Sequence, residues 1–251
     1  ERLLAVREAN PLLLEIRTDC LVTRVLFAEP DRDGSGDPAS PPRVIGVEYL
    51  RGERLYRAHV DPSGAAGKVE RAFVKDGGEV VLCGGTFNTP QLLMLSGIGD
   101  AGRLAALAGG DPGLCALRDA ESRPIAGPAG DPWRVDLRGV GCNLQDRYEV
   151  SLISEMKAEF DLLKGATLGL NSWDPHLRQW REEGAGLYST NGAVLGIFKR
   201  SSPELAQPDL FIFGAPFPFR GYEPGYSVVG HHHDKFSWVI LTGGTRNNRG
   251  T

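Results

Sequence analysis

The sequence predicts a mixed α/β (α+β) fold built in two parts. Three observations carry this reading. Short runs of strand-forming residues recur through the first third, separated by turn residues. An apolar strand then passes through two glycines into a helical stretch, "EVVLCGGTFNTPQLLML" at 79–95. From Val150 the texture changes, and strand-like runs return at 194–199, 210–213 and 236–242.

Bulk properties narrow the class. A chain of 251 residues fits one large domain or two ordinary ones. Hydrophobic residues at 41% and charged residues at 24% are values of a globular protein. A net charge of −4 gives no electrostatic basis for binding nucleic acid or an anionic membrane. The longest nearly apolar run, 210–219, is too short to span a bilayer and contains Pro216 and Pro218. No N-terminal signal pattern is present. Cys20, Cys83, Cys115 and Cys142 are scattered without a C-x-x-C pair, so they read as free thiols of a cytoplasmic protein.

Taken in order, residues 2–10 read as the last turns of a helix that begins before the chain does. Residues 12–16 and 21–27 are strand-like, with Thr18-Asp19 as a turn between them. Residues 29–42 are rich in Pro, Gly, Asp and Ser and read as an exposed insert. The alternation at 44–50 puts Ile45, Val47 and Tyr49 on one face, and 55–60 continues as a further strand after Arg51-Gly52-Glu53. Together these make an antiparallel meander, followed by a flexible insert at 61–68. The continuous apolar run 79–83 predicts a strand buried on both faces.

Residues 90–95 predict a short helix capped by Thr89, with Pro90 in its first position and Gly97 at its stop. Leu92, Leu93 and Leu95 face more than one side, so the helix is expected to be buried; each fully buried leucine contributes roughly 1.5–3 kcal/mol. Residues 107–133 lack periodicity and read as a long surface insert. Residues 135–146 are compact, with Gly139 and Gly141 close together, and 168–183 is helical in part. A domain boundary is expected near residue 150, giving parts 1–150 and 151–251.

The corner Gly84-Gly85 fits two readings equally. Bare backbone lets a ligand approach the main chain, or the turn simply needs glycine for its angles. Gly97, Gly99 and Gly102 match G-x-G-x-x-G, but that fingerprint needs a strand before it and a helix after it. Here a helix comes first, so the match is set aside. No Lys follows as in a phosphate-binding loop, and no G-x-S-x-G elbow occurs. His231-His232-His233 reads as a loop whose side chains point to alternate sides, so no metal site is assigned. His59 and His176 are solitary and read as solvated, and Asp146 and Glu149 read as a solvated pair.

One stretch resembles a known family. "GGTFNTPQLLMLSGIG", 84–99, is similar to the second signature of the glucose–methanol–choline (GMC) flavin oxidoreductases. Gly85, Thr86, Thr89, Pro90, Leu92, Leu93, Ser96, Gly97, Ile98 and Gly99 fill the pattern. Other segments agree in order: "ANPLLLEIRTDCLVTRVLF", "VIGVEYLRG", "LRGVGCNLQDR", "GAGLYSTNGAVLGIFKR", "QPDLFIF" and "SWVILTGGTRNNRGT". Arg147 stands where the family usually has His.

The resemblance implies FAD as cofactor and hydride transfer from the CH–OH group of a small-molecule alcohol to the flavin. The electron acceptor is left open. It implies that residues 1–150 belong to the FAD-binding domain, with inserts near 29–42, 61–68 and 107–133, and that 151–251 belong to a substrate domain on an antiparallel sheet. Val22 matches the position whose backbone meets the adenine edge. Cys83, Gly84 and Gly85 match the turn beside the ribose and pyrophosphate, where a side chain would collide with the cofactor. The family's dinucleotide fingerprint is expected upstream and its catalytic His downstream, so no catalytic residue is assigned here. Two rivals are a FAD-containing hydroxynitrile lyase of the same fold, and an inactive segment acting at most as an interaction surface.

Overall fold

A computed structural model describes residues 2–29, 42–127, 129–168, 171–222, 232–243 and 250. The chain divides into two compact units, Glu1–Leu144 with Arg249–Thr251, and Gln145–Asn248. Helix and antiparallel sheet mix in both, as the α/β (α+β) expectation required.

In the first unit, helix α1 (Arg2–Ala9) precedes a three-stranded antiparallel sheet of β1 (Cys20–Phe27), β2 (Val44–Arg51) and β3 (Lys68–Phe73), in that spatial order. Helix α2 (Gly85–Leu95) follows, then β4 (Ile98–Gly99), helix α3 (Ala101–Ala108) and β5 (Val135–Asp136), which pairs parallel with β4. Asp100 caps α3 by accepting the Arg103 amide at 2.8 Å.

Several expectations change. Residues 12–16 form no strand: Leu13 and Leu14 amides close back on the Asn10 carbonyl, and the Leu12 and Leu13 side chains stand in solvent. Residues 55–60 are turns, with the His59 amide on the Tyr56 carbonyl, and the meander's third strand is β3 instead. Residues 79–83 are extended but join no ladder among the described residues, and Val81 is exposed rather than buried on both faces. The insert at 61–68 is exposed apart from Gly67, while the one at 29–42 lies almost wholly outside the described residues.

The largest correction concerns 107–133. Much of this segment is core, not surface. Leu117 and Ile125 pack with Val25 and Phe27 of β1, flanked by Val44, Leu82, Ile98, Trp133 and Val135. The reason is backbone pairing without regular strands. The Leu117 amide bonds the Trp133 carbonyl, Ile125 bonds Leu117, Trp133 bonds Ile125, and Phe27 bonds Arg118. These bonds and the isolated bridges Arg118–Pro124 and Ala126–Pro132 pair the backbone without a regular strand, so the segment buries apolar residues with no period to read.

The second unit is a four-stranded antiparallel sheet in the order β6 (Glu149–Glu155), β9 (Lys235–Thr242), β8 (Leu210–Ala215), β7 (Leu195–Lys199), with helix α4 (Pro175–Glu183). Asp174 is fully buried and caps α4, accepting the amides of His176 and Leu177. It also accepts the Thr167 amide and hydroxyl and the Tyr188 phenol, the last at 2.5 Å. Burial alone pushes this carboxyl up, but the hydrogen bonds from Tyr188, Thr167 and Leu177 outweigh it and hold Asp174 at about 2. Burial and the bond to Asp174 push the Tyr188 phenol up to about 12. This knot pins the helix to the segments on either side of it. An apolar cavity of about 370 Å³ lies over it, lined among others by Leu163, Leu177, Tyr188 and Phe217.

Candidate functional site

A cleft of about 420 Å³ in the first unit gathers Val22, Cys83 and Gly84. It is built by β1 with Leu21 and Val22, β2 with Val47, the stretch 80–84, and α2 with Asn88, Gln91, Leu92 and Leu95. Tyr56 closes one side, its hydroxyl donating to Asn88 Oδ1 at 3.3 Å. The lining is apolar apart from Tyr56, Asn88, Gln91 and the Cys83 thiol, a composition suited to a flat ring with a polar edge.

The backbone of Val22 is aimed by a bulge. In the β1–β2 register Val22 faces Tyr49 and Arg24 faces Glu48, which leaves Thr23 as an extra residue. The Thr23 hydroxyl donates to the Glu48 carbonyl at 3.2 Å. Pairs in an antiparallel ladder alternate between facing the partner and facing away. The Val25 amide donates to Ser96 Oγ, so Val25 faces away from β2. Arg24 therefore faces β2 and Val22 faces away again. The Val74 amide on the Ile45 carbonyl agrees, because it sets Ile45, Val47 and Tyr49 toward β3. Were Thr23 an ordinary paired residue of the ladder, Val22 would share the phase of Arg24 and turn its N–H and C=O into the sheet.

The glycine corner is open. Gly85 has φ +82°, and a Cβ built there meets no atom within 4 Å. Helix α2 starts at this corner, five residues before the sequence placed it. Gly84 is the N-cap and offers no side chain, so the first-turn amides keep their partial positive charge facing outward. Thr89 does not cap the helix; its hydroxyl accepts the Gly84 amide at 3.0 Å. Pro90 lies inside the helix, where its missing N–H leaves the Thr86 carbonyl without its intrahelical donor. Nor is the helix buried: none of its residues is, and Leu95 is exposed.

At the far end of α2, Gly97 has φ +86°, and a Cβ there would stand 2.6 Å from the backbone of Ala116 and Leu117. Gly97 is thus a helix stop and a close-packing point. Asn88, Gln91, Leu92 and Leu95 went unrecognised as cleft residues because the helix was started too late. Their i, i+3, i+4, i+7 spacing is the signal that an earlier start would have exposed.

Nearby charge is structural. Glu48, nearly buried, accepts two bonds from the Arg71 guanidinium and lies 3.2 Å from Arg24 Nε, which makes no hydrogen bond. Burial, with Arg118 close by, lowers the Arg24 pKa. Among the described residues no three His, Cys, Asp or Glu side chains converge on a metal position, and His231 lies outside them. His176 is half-buried rather than solvated, with its ring on the Lys164 carbonyl. Asp146 Oδ1 accepts the Arg147 amide. The four cysteines are free, and no described helix is long and apolar enough to cross a membrane.

The family model for GMC oxidoreductase matches residues 5–149. An oxygen-dependent choline dehydrogenase of Staphylococcus haemolyticus is 32% identical over 218 residues, 87% of this chain and 29% of that protein. The mitochondrial choline dehydrogenase of Homo sapiens is 30% identical over 203 residues, 78% of this chain and 24% of that protein. A chloroplastic fatty acid photodecarboxylase of Chlamydomonas reinhardtii is 34% identical over 183 residues, 68% of this chain and 23% of that protein. A solved structure of a formate oxidase from Aspergillus oryzae RIB40, from work on its FAD modification, shares the fold. Its TM-score is 0.54 at 20% identity, over 89% of this chain and 34% of that one. The chain thus spans less than a third of the length of these curated relatives. With more than half of its residues inside the family model, the chain belongs to the GMC oxidoreductase family.

Proposed function

We propose that this chain is part of a FAD-dependent oxidoreductase that takes hydride from the CH–OH carbon of a small alcohol. The first unit supplies part of the FAD-binding domain and the second part of the substrate domain. The observation that carries the reading is the convergence of Val22, Cys83 and Gly84 on one cleft beside the bare Gly85 corner. The outward N–H and C=O of Val22 form a donor–acceptor pair of the kind an adenine edge needs. The α2 N-terminus next to Gly85 suits an anionic pyrophosphate. When bound, FAD supplies the hydride acceptor. The residues named here bind and orient the nucleotide; the group that takes the hydroxyl proton is assigned to none of them. The scattered free thiols favour a reducing, cytoplasmic setting.

Titration of the full chain with FAD, followed by flavin fluorescence, tests the cofactor half. Saturable binding is expected, and Gly85→Val should abolish it by filling the open corner. A wild-type chain that takes up neither FAD nor ADP would overturn the reading. The chemistry is tested in the longer protein by anaerobic addition of alcohols, which should bleach the flavin. A second reading keeps the cofactor and puts a carboxylic acid in place of the alcohol. The names of the fatty acid photodecarboxylase and formate oxidase favour it, and a flavin bleached by acids alone would select it.

A further inference from the structure

Ser96 bonds to both walls of the cleft. It is 1% exposed and terminates α2. Its hydroxyl donates to the Leu92 carbonyl at 2.7 Å and accepts the Val25 amide at 2.9 Å. One atom therefore joins the helix that lines one wall of the cleft to the strand that carries Val22 on the other.

Helix α2 has no fully buried residue, and Leu92, Leu93 and Met94 are half-buried. Its anchored end is the Ser96-Gly97 pair. Gly97 lets the chain lie against the Ala116–Leu117 backbone, and Ser96 ties that point to β1. At the opposite end Gly85 faces open space, while Gly84 lies against Asn88 and Thr89 of the helix itself. Apart from the long Tyr56–Asn88 bond at 3.3 Å, the side-chain tie between α2 and the sheet is the one at its C-terminal end, so a shift of that pin carries along the helix. Leu92 is both a cleft-lining side chain and the acceptor of the Ser96 proton, so the pin acts within one turn of the cleft wall. The Val25 amide has no alternative, because it faces away from β2 and Val25 is buried.

We propose that Ser96 is a positioning residue for nucleotide binding: its hydroxyl sets the separation of α2 from β1, and with it the fit of the cleft. The proposal rests on the reading that the cleft holds the adenosine half of FAD. A control exists in the second unit. Ser237 is fully buried and makes the same kind of bridge, accepting the Phe219 amide at 2.8 Å and donating to the Phe217 carbonyl at 2.5 Å.

The test compares the full chain with its Ser96→Ala and Ser237→Ala variants. FAD and ADP affinities are measured well below the unfolding temperature, and amide hydrogen exchange is measured without nucleotide. Ser96→Ala is expected to weaken both affinities by about tenfold or more, and to speed exchange at Val25 and along α2 while sparing the β2–β3 ladder. Ser237→Ala should leave both affinities unchanged. Equal loss in the two variants, or unaltered exchange in α2, overturns the proposal. Should Ser96→Ala fail to fold, Ser96→Cys, with a weaker donor and longer bonds, is expected to shift affinity in the same direction. A wild-type chain that binds neither nucleotide overturns the cofactor reading instead; exchange at Val25 and α2 then decides on Ser96 by itself.

Discussion

The same substitution at the glycines that flank α2, Gly85 at its start and Gly97 just past its end, separates two physical effects. Gly85 and Gly97 have nearly equal backbone angles, φ +82° and +86°. Replacing either by Ala forces an L residue into the left-handed region, at a cost of about 1–2 kcal/mol. The surroundings differ. At Gly85 a new Cβ meets nothing within 4 Å, so strain is the whole cost. At Gly97 it would lie 2.6 Å from the Ala116 carbonyl carbon and the Leu117 amide nitrogen. Those are main-chain atoms of the segment whose Leu117 lies in the core, so no side chain can swing aside. Overpacking of this kind adds about 1–3 kcal/mol. Gly97→Ala should therefore cost about 2–5 kcal/mol and Gly85→Ala about 1–2 kcal/mol. Urea unfolding followed by tryptophan fluorescence measures both, with Trp133 reporting on the first unit. Equal losses would refute the claim that Gly97 is a close-packing point. The functional order should be reversed: Gly85→Ala should weaken FAD binding more than its stability loss accounts for.

Further outcomes follow from the same geometry. Leu117→Ala should destabilise the first unit by about 2–5 kcal/mol in calorimetry, as a core truncation does; a surface-like loss under 0.5 kcal/mol would contradict the core assignment. Glu48→Ala leaves the Arg24 and Arg71 cations without their carboxylate, with Arg24 largely buried, and should cost about 3 kcal/mol in urea unfolding. Asp174 titrates at about 2 when folded, below its ordinary 3.8, so its contribution is complete above about pH 4 and fades as pH falls toward 2. It amounts to about 2 kcal/mol, and Asp174→Asn should flatten that limb of the acid-unfolding curve. Tyr188→Phe removes the 2.5 Å bond onto Asp174 and the acceptor of the Leu168 amide, and should move acid unfolding of the second unit to higher pH.

The legible parts of the sequence were those where local chemistry decides. Strands β1, β2, β7, β8 and β9 were visible as runs of β-branched and aromatic residues, and Gly97 was visible as a helix stop. The family resemblance, through its separate segments, marks Val22 and the Cys83–Gly85 corner as candidates, and the fold brings Val22, Cys83 and Gly84 to one cleft. Helix α2 was started late because Thr89-Pro90 looks like a beginning. The actual start uses Gly84, which gives no side-chain signal, and Thr89 satisfies a backbone group behind it. Strand β6 went unread because Glu149, Ser151, Ser154 and Glu155 dilute its apolar positions; pairing with β9 makes it a strand.

By itself the sequence determined the family, the mixed fold class and the glycine corner. These depend on residue types at fixed short spacings, which a chain carries wherever it folds. Tertiary structure alone decided three things: that much of 107–133 is core, that the bulge at Thr23 turns Val22 outward, and that Ser96 joins α2 to β1. Each depends on which distant backbone group completes a hydrogen bond. That choice is made by the whole unit when it excludes water, because a buried amide must find some partner and local sequence does not specify which.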